Sequence, residues 1–125
     1  MQTLCASLTR VSAGEVEISM PVSSAITQQH GFVHAAALAA IMDSACGYAA
    51  LGLMPEDSDV LAVEFKVNFV APASGSSVRA VGTVIKAGKT IILTTANAYA
   101  ISSEGEKLVA VMQATMIRSP KLTHV

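Results

Sequence analysis

Between Gln28 and Ala50 the chain reads QQHGFVHAAALAAIMDSACGYAA, an apolar helical stretch that carries a single acid, Asp43. At about 100° per residue, the side chains within about 60° of Asp43 are those of Ala36, Ala39, Ala40, Cys46, Gly47 and Ala50, none larger than cysteine. The bulkier Leu38, Ile41, Met42, Tyr48, Leu51 and Leu53 project about 80° or more away from the acid, where they can fill a core. The small face lets a ligand or a second chain come close, and a carboxylate placed there is either costly or useful. From Ala35 to Leu53 the stretch is long enough to span a bilayer, but Asp43 at its midpoint and the amphipathic strands downstream argue for a soluble helix wrapped by protein. Gly52 and Pro55 bring it to an end.

Residues 2–9 are expected to form a short helical turn. A first strand follows near Val11 to Val22, where Val16, Ile18 and Met20 alternate with Glu15, Glu17 and Ser19. A loop covers Ser23 to Val33, before the helix. After the acidic connection at 55–59, Leu61, Val63, Phe65, Val67 and Phe69 alternate with Ala62, Glu64, Lys66 and Asn68, predicting a long strand over 60–70 with the first set buried. Pro72 to Ser76 turns the chain into a strand at about 77–86. Ala87-Gly88-Lys89 makes a tight hairpin into another at about 90–102, and Leu108 to Arg118 is the last strand. One strand, one long helix and four consecutive strands are met most economically by an α+β fold, an antiparallel sheet curled around the helix. The small face of the helix is then expected to point toward a second subunit or a cleft.

The 125 residues suffice for a single domain, residues 1–125, without internal repeats. Hydrophobic residues make up 52% of the chain and charged ones 14%. So few polar side chains cannot cover a monomer, which predicts a homo-oligomer, dimer or tetramer, with an apolar interface. A net charge of -1, scattered lysines and few aromatic residues exclude a nucleic-acid partner. Cys5 and Cys46 form no CxxC or disulfide framework, and the opening MQTLCASLTR has no secretory pattern, so a cytoplasmic location is expected.

Around the helix, GFVHAAALAAIMDSACGYAA, with His34 and Asp43 nine positions apart, and the following VLAVEFKVNFVAPA at 60–73 resemble the hotdog-fold acyl-CoA thioesterases. The likeness is to the phenylacetate-pathway type of the 4-hydroxybenzoyl-CoA thioesterase superfamily. It covers nearly the whole chain. One departure is plain: Ala35 and Ala36 stand where the family often has Gly-Gly, which keeps the backbone N–H but adds a methyl group and disfavours positive φ.

The resemblance implies hydrolysis of an acyl- or aryl-CoA thioester to the free acid and coenzyme A, without cofactor or metal. Such a reaction needs a polarised carbonyl and an activated water or a carboxylate nucleophile. The N–H of Ala35, at the helix N-terminus, is the candidate oxyanion donor, and Asp43 the candidate base or nucleophile. Helix rise places these two roughly 12 to 14 Å apart, too far to meet one carbonyl carbon, so the donor is expected from one subunit and Asp43 from its neighbour. Gln28, six residues before His34, stands where related enzymes carry an Asn or Gln that binds the carbonyl or aligns the nucleophile; it reads equally as a loop amide. For His34 the expected role is helix entry and orientation of the loop. Lys86, Gly88, Lys89 and Thr90 form a basic hairpin that could meet the phosphates of coenzyme A or simply face water. His30 and His34 lack the helical geometry of a metal pair. Two other readings stand beside hydrolysis: a hotdog hydratase or dehydratase, and a non-catalytic acyl-CoA-binding module.

Overall fold

The computed structural model describes residues 4–120. Its elements run β1 (Ser7–Ser12), β2 (Glu15–Pro21), a 3-10 turn (Ser24–Ile26), α1 (Ala35–Leu51), β3 (Ser58–Phe69), β4 (Ser77–Ala87), β5 (Ile91–Ser102) and β6 (Gly105–Pro120). The strands form a six-stranded sheet in the order β1-β2-β4-β5-β6-β3, every neighbouring pair antiparallel. Helix α1 packs on one face, chiefly against β4 and β2. This is the expected α+β hotdog arrangement.

The helix seats closely because the strands beneath it are also built from small residues. Ala80, Ala96, Ala98, Ala110 and Ala114 are buried on the helix side of the sheet, with Ile18, Met20, Met112 and Met116 filling the spaces between. At Gly82 a Cβ would stand 2.5 Å from the carbonyl carbon of Ala45 and 2.6 Å from its oxygen, so backbone meets backbone there and only glycine fits. Leu38, Ile41, Met42, Ala45 and Ala49 are buried in the same core. Part of the small-residue helix face is therefore packed after all: Cys46 and Ala50 are fully buried, because the sheet itself supplies small partners. Ala36 and Ala40 remain exposed, as does Tyr48, which the periodicity had assigned to the core.

Three expectations are corrected. The segment read as one strand from Val11 to Val22 is a hairpin, β1 and β2 joined through Ala13 and Gly14, whose φ of 77° is the positive value a tight hairpin turn requires. Of the helical turn expected at 2–9, residues 2 and 3 lie outside the described residues, and from Ser7 the chain is already strand. The alternation of β3 is interrupted, since its register against β6 shifts between Ala62 and Glu64. That bulge at Val63 puts Val60 and Ala62 on the helix side together with Phe65, Val67 and Phe69, and leaves Leu61 on the outer face. Much of β3 also stays uncovered: Val60 and Val67 are half-buried against the core, but Leu61, Val63, Phe65 and Phe69 are 52%, 55%, 44% and 46% exposed on an edge strand bonded only to β6. Among the described residues no helix is long and apolar enough to cross a membrane.

Candidate active site

The loop before α1 is tied down by its own backbone. Gln28 N–H donates to the Phe32 carbonyl at 2.8 Å and Gly31 N–H to the Gln28 carbonyl at 2.8 Å, closing a turn in which Gly31 holds a φ of 83°. Val33 N–H bonds the Ala73 carbonyl, and His34 N–H bonds the Ile26 carbonyl, each at 2.8 Å. His34 is the N-cap residue. Its carbonyl receives the N–H groups of Ala37 and Leu38, and its imidazole makes no capping bond. The backbone of His34 thus joins the loop to the helix, and the residue borders a cavity of ≈ 370 Å³ with Leu4, Ile26 and Ala40.

Ala35 is the first residue of α1, where an N–H has no intrahelical acceptor and the positive end of the helix dipole is exposed. Ala35 and Gln28 line one cavity of ≈ 430 Å³, with Phe32, Leu38, Phe69 and Val70 around them. These two candidates are brought together, two turns of helix away from the third.

Asp43 borders a different cavity, ≈ 240 Å³, walled by Ser44, Gly47, Tyr48 and Leu51 of α1 and by Val60, Ala62 and Met116 of the sheet. Its Oδ1 is buried without a hydrogen-bond partner. Desolvation lifts its carboxyl above the ordinary aspartate pKa, the direction that lets a carboxylate accept a proton nearer neutrality. Cys46 lies on the sheet side of the helix beside Thr94, and burial pushes its thiol up to about 11, which rules it out as a nucleophile.

The walls contributed by Val60 and Ala62 escaped sequence reasoning. Strict alternation counted from Phe65 places both on the far face, and only the bulge at Val63 turns them toward the helix. The basic hairpin is divided. Lys89 and Thr90 line a cavity of ≈ 380 Å³ with Asp57, Ser58 and Arg118, but Lys86 and Gly88 do not. Gly88 shapes the turn: its N–H bonds the Ile91 carbonyl at 2.8 Å, and a Cβ there would come within 2.6 Å of that oxygen. Arg118, joined to the hairpin by its N–H bond to the Thr90 carbonyl, is a cation that hairpin spacing alone does not reveal. The described residues contain no group of three or more His, Cys, Asp or Glu side chains able to hold a metal ion.

The thioesterase superfamily model matches residues 30–112, which takes in the end of the loop, the helix, β3 to β5 and the first half of β6, and the chain belongs to that superfamily. Among solved structures it is similar to a thioesterase family protein of Silicibacter pomeroyi at 46% identity, covering 96% of this chain and 88% of that one, with a TM-score of 0.94. It is also similar to a thioesterase of Staphylococcus aureus at 26% identity over 95% of this chain and 97% of that one, TM-score 0.87. That protein has been solved as two alanine variants, one at a glutamine and one at a glutamate fifteen residues further on. A Bacillus halodurans protein solved with CoA shares the fold at 22% identity, covering 82% of this chain and 66% of that one, TM-score 0.76. No curated protein sequence matches. The chain is a hotdog-fold thioester hydrolase.

Proposed function

We propose that the protein hydrolyses acyl- or aryl-CoA thioesters at a site assembled from two subunits. The observation that carries this reading is the partnerless, desolvated Asp43 carboxylate on the open side of α1, with the free helix N-terminus eight residues upstream. A water hydrogen-bonded to Asp43 attacks the thioester carbonyl carbon as Asp43 takes its proton. Charge gathering on the carbonyl oxygen is met by the Ala35 N–H of the neighbouring subunit. The C–S bond then breaks, coenzyme A leaves as the thiol after protonation, and the acid remains. Direct attack by the carboxylate, through an anhydride that water opens, uses the same atoms.

Three observations support the residue roles. Gln28 shares a cavity with Ala35, so its amide can hold the carbonyl or the water from the donor side. Gln28 and Asp43 are fifteen residues apart, the separation of the two residues varied in the Staphylococcus aureus relative. Ala35 keeps the N–H on which the oxyanion contact depends although it replaces the usual glycine. The CoA-bound Bacillus halodurans protein supports coenzyme A as the carrier, and Lys89 and Arg118, which line a cavity with Thr90 and Asp57, offer cations to its phosphates.

The uncovered edge supports assembly. β3 presents Leu61, Val63, Phe65 and Phe69 beside a row of unpaired backbone groups, a surface that a second β3 can cover by continuing the sheet. A cytoplasmic setting fits the two free thiols. The test is thiol release from a panel of CoA esters. Turnover by the wild-type chain that disappears in Asp43→Asn is the expected result; tight ester binding without release would favour the binding-module reading.

A further inference from the structure

The cavity beside Asp43 has two kinds of wall. Asp43, Ser44 and Tyr48 bring polar groups to it, while Gly47, Leu51, Val60, Ala62 and Met116 surround the rest with hydrocarbon or bare backbone. No lysine or arginine lines it, and its apolar walls offer few partners to the amides and phosphates of a coenzyme A arm. The group that belongs there is the apolar end of the thioester. At ≈ 240 Å³ the space exceeds the roughly 150 Å³ that suffices for benzene in an apolar protein cavity, and falls short of the roughly 300 Å³ at which pockets for drug-sized ligands begin.

Gly47 occupies the point where helix and strand leave this space open. It lies one turn after Asp43, near enough to the same helix face that a side chain there enters the cavity beside the carboxylate. A Cβ built on it meets only the Cγ1 of Val60, at 3.9 Å, an ordinary contact. Gly82, by contrast, is required by the packing. Nothing in the helix demands glycine at 47 either, because alanine is favoured over glycine at such a position by about 1 kcal/mol. The empty volume is what the residue provides.

We propose that Gly47 sets the size of the acyl group this thioesterase accepts, its missing side chain leaving room for an acyl chamber walled by Leu51, Val60, Ala62 and Met116. The assignment rests on the reading of Asp43 as the reacting carboxylate. Larger residues at 47 exclude longer acyl groups, and trimming the far wall at Leu51 admits them.

The test compares kcat/KM for acetyl-CoA and hexanoyl-CoA in wild type, Gly47→Ala, Gly47→Val and Leu51→Ala, with circular dichroism confirming the fold of each. In the Gly47 variants the acetyl-to-hexanoyl ratio rises at least roughly ten-fold, the lower end of what one displaced carbon is worth in an apolar pocket, and more for valine than for alanine. In Leu51→Ala the ratio falls. A ratio unmoved in folded Gly47→Val, or both esters slowed equally, overturns the chamber and leaves hydrolysis by Asp43 standing. A wild-type protein that releases thiol from neither ester overturns the chamber, and one that releases it from no CoA ester of the panel, aryl esters included, overturns the underlying reading as well.

Discussion

Ala35 and Asp43 stand on the same helix but border different cavities, one shared with Gln28 and Phe69, the other walled by Val60 and Met116. Eight residues of α1 separate them, about 12 Å along the axis. Hydrogen-bond donor and carboxylate must lie within about 3 Å of a single carbonyl group to act on it. On the proposed roles one chain holds two half-sites, and the proposal stands or falls on a second chain completing each.

Replacing Ala35 by proline removes the proposed oxyanion donor while leaving the helix. Proline is tolerated at the first helical position, and the His34 ψ of 138° already lies where a residue preceding proline must be. The expected loss in kcat is about 10²- to 10³-fold, with a Tm close to wild type. Stopped-flow thiol release together with thermal denaturation checks both; undiminished turnover would remove Ala35 from the mechanism.

Asp43→Asn should abolish turnover without weakening the fold. With the carboxyl raised by burial, the folded chain holds that proton more tightly than the unfolded chain, so stability falls as pH climbs from the unfolded value through the folded one. The variant escapes this loss. Its Tm at pH 7 is expected to equal or exceed wild type, the difference closing below about pH 4, where the aspartate is protonated in both states. A variant clearly less stable at pH 7 would mean that Asp43 is a structural acid.

The same displacement sets the pH dependence of catalysis. Asp43 must be ionised to accept a proton, so the acid limb of kcat/KM should lie above the ordinary aspartate value of about 3.9. An acid limb at or below that value, measured with a slow ester whose chemistry limits the rate, would assign it to another group.

Gly82→Ala tests the close seating of the helix. Its methyl would stand 2.5 Å from the Ala45 carbonyl carbon, and backbone on both sides cannot yield as a side chain can. A loss of about 3 kcal/mol or more in urea unfolding is expected, at the upper end of ordinary overpacking. A cost below about 1 kcal/mol would show that helix and sheet part more easily than the geometry implies.

How far the sequence carries can be read from particular residues. The helix was legible from the apolar run after His34, broken only by Asp43 and Ser44, and the stop at Gly52, and β4 and β5 from Gly88, which the turn requires. Hairpin β1–β2 was missed because Ser12, Ala13 and Gly14 give a weaker turn signal than Asn-Gly, and because β1 is exposed along its length and shows no buried alternation. The bulge at Val63 left no mark at all in an alternation that reads unbroken from Leu61 to Phe69. That one register shift between β3 and β6 hid two walls of the Asp43 cavity. The exposure of β3 could not be read from its composition either, since a strand awaiting a partner has the same residues as one already buried. Of the candidate site, Asp43 and the helix start were accessible to periodicity and helix geometry, whereas Arg118 joins Lys89 only through the pairing of strand ends.

The most direct test of the two-subunit site is complementation between Ala35→Pro and Asp43→Asn chains. Each alone is expected to lose at least about 10²-fold in kcat, and a mixed dimer regains one site with both an intact donor and an intact carboxylate. Co-expressed with separable tags and purified as the mixed species, the pair should recover about half the wild-type kcat on an acyl-CoA ester, one site of two. A mixed dimer, verified by native mass spectrometry, as inactive as either parent would contradict a site shared between subunits.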